Sequence, residues 1–303
     1  MAESALISAA ELAEIVGDVV VLDVQYTLDG QGADLYASRH LPGAPHLDLD
    51  TVLADPAGDR GRHPMPSVER LQHGLRALGL HDDSAVIVYD QGPSLGAARA
   101  WCVLRWAGLT DVRVLDGGLA AWVRTGLPVE ISSPASPAPS SPVPQPGNCQ
   151  VVARRADTGA DSGAEAGTLT VRPDSVPILD VDDVLEHIAG GGVLLDARTA
   201  ERFRGEVEPI DTEAGHIPGA MSLPVSEVMD ADGTFADAAV IRSVLGQRGI
   251  PLDGPVATSC GSGITACQLS LALHEAGIES APFIGSWSEW IRDPGRPRAT
   301  GDA

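Results

Sequence analysis

Basic residues, cysteines and long apolar runs are all scarce in this 303-residue chain, and each shortage excludes a class of function. The 20 Lys and Arg residues are outnumbered by 42 Asp and Glu residues, which gives a formal charge of −22 at pH 7. A chain this acidic is not expected to bind nucleic acid or an anionic membrane surface. No apolar run approaches the length of a membrane span and the N-terminus lacks a basic and apolar signal, so we expect a cytoplasmic protein without a membrane partner.

The four cysteines, Cys102, Cys149, Cys260 and Cys267, show neither paired metal-ligand spacing nor a Cys-x-x-Cys redox motif. We therefore expect no metal site and no cofactor. Cys267 follows Cys260 by two helical turns and is expected to lie in the core. Cys149 is expected to be an oxidisable bystander at most.

The sequence contains an internal duplication. Its length and its 44% hydrophobic content are sufficient for two domains with a core each. Four features of the first half recur in the same order about 170 residues later: a strand that ends in aspartate, a His-x-Pro-Gly-Ala turn, the end of a second strand, and a tryptophan. The pairs are Asp23 and Asp196, His40 and His216, Asp90 and Cys260, and Trp122 and Trp290. A period this long indicates a duplicated domain rather than a solenoid unit.

Each copy alternates short apolar strands with helical stretches, such as residues 96–107 and 265–276. This alternation predicts an α/β domain with a mainly parallel sheet flanked by helices. The two turn histidines, His40 and His216, are expected to be scaffold residues that bond backbone carbonyls.

We predict domains at residues 1–130 and 173–303, joined by a linker at 131–172. The linker is rich first in Pro and Ser and then in Gly, Ala and acidic residues, a composition too poor in large apolar groups to pack. Residues 154–167 are expected to be exposed or disordered.

The most informative segment is 256–267, in which an apolar strand ends at Cys260 and two glycines lead into a helix. The thiol then lies just before a helix N-terminus, where unpaired N–H groups stabilise an anion and favour a nucleophilic thiolate. Gly261 and Gly263 allow several amides to point at one sulfur, and Ser262 and Thr265 add hydroxyl donors. The alternative for Cys260 is a small buried hydrophobic residue at a strand end.

The string Cys-Gly-Ser-Gly-Ile-Thr at 260–265 resembles the active-site loop of the rhodanese-type sulfurtransferases, in its mercaptopyruvate form. The resemblance extends from Asp23 to Trp290 and implies two tandem rhodanese-like domains. It implies that Cys260 accepts a sulfur atom from 3-mercaptopyruvate as a persulfide and passes it to cyanide, a small thiol or a thioredoxin-like protein. The first domain has Asp90 in place of the cysteine and is expected to be non-catalytic, supplying walls of a cleft between the domains.

The resemblance also implies a proton relay across that cleft. Ser262 would act with His63 and Asp50 of the first domain to supply the proton that the departing pyruvate enolate needs. The alternative for His63 is a solvated loop residue.

Substrate binding is expected to use the loop and one cation. The loop contacts would be Gly261, Gly263, Ile264 and Thr265, and the donor carboxylate would bind Arg202. The family places a second arginine after a Glu-Pro pair, but here Glu208-Pro209 is followed by Ile210. Either Arg204 replaces that arginine or no residue does. Thiosulfate is therefore kept as an alternative donor.

Two functions from other classes compete with this interpretation. A cysteine-dependent phosphatase needs a longer loop closed by an arginine, whereas Ala266 and Cys267 follow Thr265 here. A persulfide carrier or sensor without multiple turnover, docked through its acidic surface, remains open.

Overall fold

The structure, a computed structural model, describes residues 4–132 and 166–302. Within the first range, strands and helices alternate as the sequence predicts. The elements are β1 (Leu6–Ile7), α1 (Ala9–Ile15), β2 (Val20–Asp23), α2 (Gly32–Ser38), α3 (Val68–Ala77), β3 (Val86–Tyr89), α4 (Leu95–Trp106), β4 (Val112–Leu115) and α5 (Gly118–Arg124). The four strands form a parallel sheet in the order β1-β4-β3-β2.

The second range repeats this arrangement. Its elements are α6 (Val184–Ala189), β5 (Val193–Asp196), α7 (Ala200–Arg204), β6 (Met221–Ser222), a 3-10 helix (Val225–Val228), α8 (Ala238–Gln247), β7 (Val256–Ser259), α9 (Ile264–Glu275), β8 (Ser280–Pro282) and α10 (Ser286–Trp290). The strands form a parallel sheet in the order β6-β5-β7-β8. The predicted α/β class with two tandem domains is confirmed.

Strands β3, β5 and β7 are buried along their whole length, as expected for parallel strands covered by helices on both faces. Because the carboxyl ends of parallel strands meet at one edge, the residues that follow β3 and β7 lie where ligands usually bind in such sheets. The helices after these strands begin and end one residue before the predicted ranges.

The turn histidines hold the scaffold, as predicted. The Nδ1 of His40 donates to the carbonyl of Tyr36 at 2.9 Å, and the Nδ1 of His216 donates to the carbonyl of Phe203 at 2.8 Å. Both histidines are buried. Each histidine therefore bonds the carbonyl of an aromatic residue in the preceding helix, as expected for a duplicated domain.

The two halves share one apolar core where α4 packs against α9. Cys102 of α4 and Cys267 of α9 both belong to this core, and Cys267 is fully buried as predicted. Across this interface a loop of the first half reaches the loop that follows β7, because the His63 Nδ1 lies 2.9 Å from the Ser262 Oγ.

Part of the predicted linker differs from expectation. Residues 166–172 pack on the first half: the amide of Gly167 donates to the carbonyl of Arg76 at 2.8 Å, and Leu169 is 1% exposed. Leu169 and Val171 supply the apolar groups that the rest of this segment lacks. Cys149 and residues 133–165 lie outside the described residues, and the domain boundaries stay a prediction. No helix within 4–132 or 166–302 is long and apolar enough to cross a membrane.

Candidate active site

Cys260 directly follows β7 and precedes the three-residue turn that opens α9. Its side chain is buried, with only 2% of the residue exposed. The amide of Gly263 donates to the Cys260 Sγ at 3.1 Å. This contact places the sulfur inside the turn, at the amino end of a twelve-residue helix.

The backbone of the turn is held from outside by the start of α10. The amide of Cys260 donates to the Ser286 Oγ at 3.0 Å, and the amide of Trp287 donates to the Cys260 carbonyl at 3.0 Å. The amide of Ser288 donates to the Gly261 carbonyl at 2.9 Å. Ser286 has a φ of +51°, which is uncommon for a residue other than glycine and marks a turn fixed by its surroundings.

Backbone close approach requires Gly263 in this turn, and Gly261 leaves room for two arginine side chains. Gly263 has a φ of +84°, and a Cβ there would collide with the carbonyl of Ile284. At Gly261 a Cβ would lie 2.9 Å from the Arg62 Nη2 and 3.5 Å from the Arg202 Nη2. The absence of a side chain at Gly261 therefore lets two guanidinium groups approach the loop.

The structure brings Ser262 and His63 together across the two halves. The Ser262 Oγ lies 2.9 Å from the His63 Nδ1. The other ring nitrogen, Nε2, lies 3.3 Å from the Tyr26 hydroxyl and 3.5 Å from the Asp50 Oδ1. Asp50 is therefore beside the imidazole but outside hydrogen-bond geometry, and its side chain is 52% exposed.

Burial and the positive charges of Arg99 and Arg62 lower the pKa of His63 from 6.5 to about 4. The imidazole is then neutral at pH 7, with one ring nitrogen able to accept a proton. Burial, and the neighbouring Asp48 carboxylate, raise the pKa of Asp50. A neutral His63 that accepts from Ser262 through Nδ1 would carry its hydrogen on Nε2, toward Tyr26 and Asp50.

A cavity of about 770 Å³ opens above Cys260, between the halves. Of the predicted contact residues, Gly261, Ile264, Thr265 and Arg202 line it, whereas Gly263 is covered by the backbone of Ile284. The first half contributes walls as predicted: Tyr26, Leu28, Arg62, Pro93 and Leu95. His63 and Asp50 line a neighbouring cavity of about 440 Å³, so His63 reaches the Cys260 cavity through Ser262.

The guanidinium groups near the loop are held by carboxylates. Arg202 donates to the Glu208 Oε1 at 2.7 Å and lies 3.4 Å from the Asp211 Oδ2. Arg62 donates to the other oxygen of Asp211. Both acidic side chains are buried, with 4% of each exposed.

Arg204 does not replace the arginine that the family resemblance leads one to expect at the position of Ile210. It pairs with Glu206 at 2.7 Å at the protein surface, lies 3.8 Å from Asp302, and does not line the cavity. Arg62 and Tyr26 do line the cavity, and sequence reasoning missed both. Arg62 is adjacent to His63 in the chain, but only the packing of one half on the other shows where its side chain goes.

Comparisons with known proteins show which family the chain belongs to. The rhodanese-like domain family matches residues 8–125 and again residues 180–293. A Mycobacterium tuberculosis protein named "Putative thiosulfate sulfurtransferase SseB" is 42% identical over 303 residues, with 98% of each chain covered. A Pseudomonas aeruginosa protein named "Probable 3-mercaptopyruvate sulfurtransferase" is 39% identical over 313 residues, with 100% of each chain covered.

Among solved structures, the crystal structure of SseA from Escherichia coli, described as a 3-mercaptopyruvate sulfotransferase, matches with a TM-score of 0.74. The sequences are 30% identical, and the match covers 95% of this chain and 100% of that one. With two domain matches and relatives this similar over nearly the whole length, this chain belongs to the rhodanese family.

Proposed function

We propose that this protein is a sulfurtransferase that moves a sulfane sulfur from 3-mercaptopyruvate to a thiophilic acceptor through a persulfide on Cys260. The observation that carries the proposal is the Ser262–His63 contact of 2.9 Å beside Cys260, at the edge of the cavity. A buried thiol, a neutral imidazole reached through a hydroxyl, and Arg202 are the nucleophile, proton relay and cation that this reaction requires.

In the first step, the Cys260 thiolate attacks the sulfur of 3-mercaptopyruvate. A sulfur–sulfur bond forms and the carbon–sulfur bond breaks, with its electron pair going to the carbon that becomes the pyruvate enolate. Ser262 and His63 take the proton of the donor thiol and return it to that carbon, so pyruvate leaves and the persulfide remains anionic. The amide of Gly263 and the start of α9 stabilise this anion.

In the second step, cyanide, a small thiol or a thioredoxin-like protein attacks the outer sulfur. The sulfur–sulfur bond breaks and its electron pair returns to Cys260, which is again a thiolate. The two separate half-reactions predict ping-pong kinetics.

Thiosulfate is the second candidate donor. Ile210 stands where the family resemblance calls for an arginine, and the M. tuberculosis relative is named for thiosulfate. A donor that releases sulfite needs no carbon protonation, so it would make less use of Ser262 and His63.

We place this activity in the cytoplasm. Cys102, Cys260 and Cys267 are free thiols among the described residues, which fits a reducing compartment. The formal charge of −22 supports small-molecule and protein partners over nucleic acid or anionic lipid.

The test is steady-state sulfur transfer to cyanide, measured as thiocyanate with 3-mercaptopyruvate and thiosulfate side by side. We expect kcat/KM to favour 3-mercaptopyruvate at least tenfold, which corresponds to about 1.4 kcal/mol of transition-state preference. A tenfold preference for thiosulfate would overturn the donor assignment. Full activity of Cys260→Ser would overturn the persulfide mechanism itself.

A further inference from the structure

Two guanidinium groups, one from each half, lie together above the Cys260 loop. The position of a Cβ on Gly261 would be 2.9 Å from the Arg62 Nη2 and 3.5 Å from the Arg202 Nη2. Both side chains line the cavity that contains Cys260. The sequence has no lysine, so every permanent cation available to this cavity is an arginine, which binds a carboxylate through two parallel hydrogen bonds.

The loop that carries Arg62 is fixed against the second half. The amide of Arg62 donates to the Ser288 Oγ at 3.1 Å, and a Cβ on Gly61 would lie 2.8 Å from the same oxygen. Ser288 in turn holds the Gly261 carbonyl through its amide. Arg62 and the Cys260 loop are therefore positioned by the same residue.

The guanidinium of Arg62 keeps donors for a ligand. Its bond to Asp211 uses Nη1, and its Nε is buried without a partner among the described residues. Its Nη2 is the atom that lies over Gly261. Asp211 contacts both Arg62 and Arg202, so its negative charge holds two like-charged groups close together.

We propose that Arg62 supplies the second guanidinium that binds the donor's carboxylate, on the side opposite Arg202. Arg62 would replace the arginine that the family has at the position of Ile210. This inference rests on the proposed function and names the donor class as an α-keto acid with the carboxylate held between the two halves. This cation then comes from the non-catalytic half, so donor binding depends on how the first half packs against the second.

The experiment is a calorimetric titration of pyruvate, the product that retains the carboxylate, into the wild-type protein and variants. Arg62→Met should weaken pyruvate binding by about tenfold to a hundredfold, the range for a lost hydrogen bond to a charged group. Arg60→Met is the matched control, because Arg60 lies two residues away, is 59% exposed and pairs with Asp55 instead; its affinity for pyruvate should not change. Arg62→Lys should recover part of the affinity, since it retains the charge but not the planar fork.

A double variant keeps the test valid if Arg62→Met loosens the contact between the halves. Adding Ile210→Arg to Arg62→Met returns a guanidinium to the wall of the same cavity and should restore pyruvate binding. Unchanged pyruvate affinity in Arg62→Met, or wild-type protein that does not bind pyruvate, would overturn the inference. Arg62-dependent pyruvate binding without any sulfur transfer would instead uphold the carboxylate site and overturn the proposed function.

Discussion

The turns that follow β3 and β7 occupy the same place in the two halves but begin with different side chains, the carboxyl group of Asp90 and the thiol of Cys260. In the first half the Asp90 carboxylate accepts hydrogen bonds from the amides of Gly92, Ser94, Gly96 and Ala97 at 2.7 to 3.3 Å. In the second half the Cys260 Sγ accepts from the Gly263 amide at 3.1 Å. Both side chains are almost fully buried.

The comparison indicates that the second turn can accommodate one further atom on the Cys260 Sγ. A carboxylate oxygen lies one bond beyond Cγ, as the outer sulfur of a persulfide lies one bond beyond Sγ. In the first half the Asp90 Oδ2 occupies this outer position and accepts hydrogen bonds from amides in the first turn of α4. The corresponding amides of α9 would meet the outer sulfur, so the hydrogen bonds that Asp90 accepts in the first half resemble the anion binding that we propose for the persulfide.

The largest expected effect comes from making the second turn like the first. Cys260→Asp should lower kcat for sulfur transfer by about a millionfold or to the detection limit, because it removes the thiol that we propose as the nucleophile. Its free energy of unfolding should not fall, because the carboxylate gains amide donors. Thiocyanate formation and denaturant unfolding measure the two effects; a large loss of stability would contradict the equivalence of the turns.

Ser262 stands two residues after Cys260, whereas Gly92 stands two residues after Asp90 in the first turn. Ser262→Ala should lower kcat with 3-mercaptopyruvate by about 10²- to 10⁴-fold, the usual contribution of a positioned proton donor or acceptor. The loss with thiosulfate should be much smaller, because sulfite leaves without protonation at carbon. Ser226→Ala, in the wall of the same cavity, is the control and should retain activity with both donors. Equal losses with both donors would assign Ser262 a structural role.

The first turn should depend on its carboxylate for stability. Asp90→Ala leaves four amides without their acceptor in a buried site and should lower the free energy of unfolding by about 3 kcal/mol or more. Asp90→Asn retains one acceptor oxygen and should cost less. Urea unfolding followed by circular dichroism measures both, and an Asp90→Ala protein as stable as wild type would show that the amides do not need the anion.

The last prediction concerns pH and the imidazole of His63, which contacts Ser262. Since the folded-state pKa of His63 is about 4 and the unfolded value is 6.5, the unfolded chain binds more protons between these pH values. The free energy of unfolding should therefore fall as pH drops from 6.5 toward 4, by up to about 1.4 kcal/mol per pH unit. His63→Gln should remove this slope from unfolding curves. If His63→Gln leaves the pH dependence of the free energy of unfolding unchanged, that dependence comes from other titratable groups.

The sequence predicted most of the frame and part of the site. Strand ends, glycines and the duplicated order located α4 and α9 to within one residue, and the turn histidines bond as expected. The loop string and the family resemblance led to Ser262 and His63, which the structure brings to 2.9 Å.

The missed residues share a physical reason. Arg62 and Tyr26 reach the cavity only because the first half packs against the second, and no local periodicity encodes that contact. Arg204 was a candidate by position in the chain, but its side chain pairs with Glu206 at the surface. Residues 166–172 were assigned to the linker from composition, which underestimates the burial of isolated residues such as Leu169.

The most direct test of the account is mass spectrometry of the protein after mixing with 3-mercaptopyruvate in the absence of an acceptor. We expect one added sulfur atom, located on the peptide that contains Cys260, together with one equivalent of pyruvate. Pyruvate release without sulfur on Cys260, or sulfur located on Cys102, Cys149 or Cys267 instead, would contradict the account.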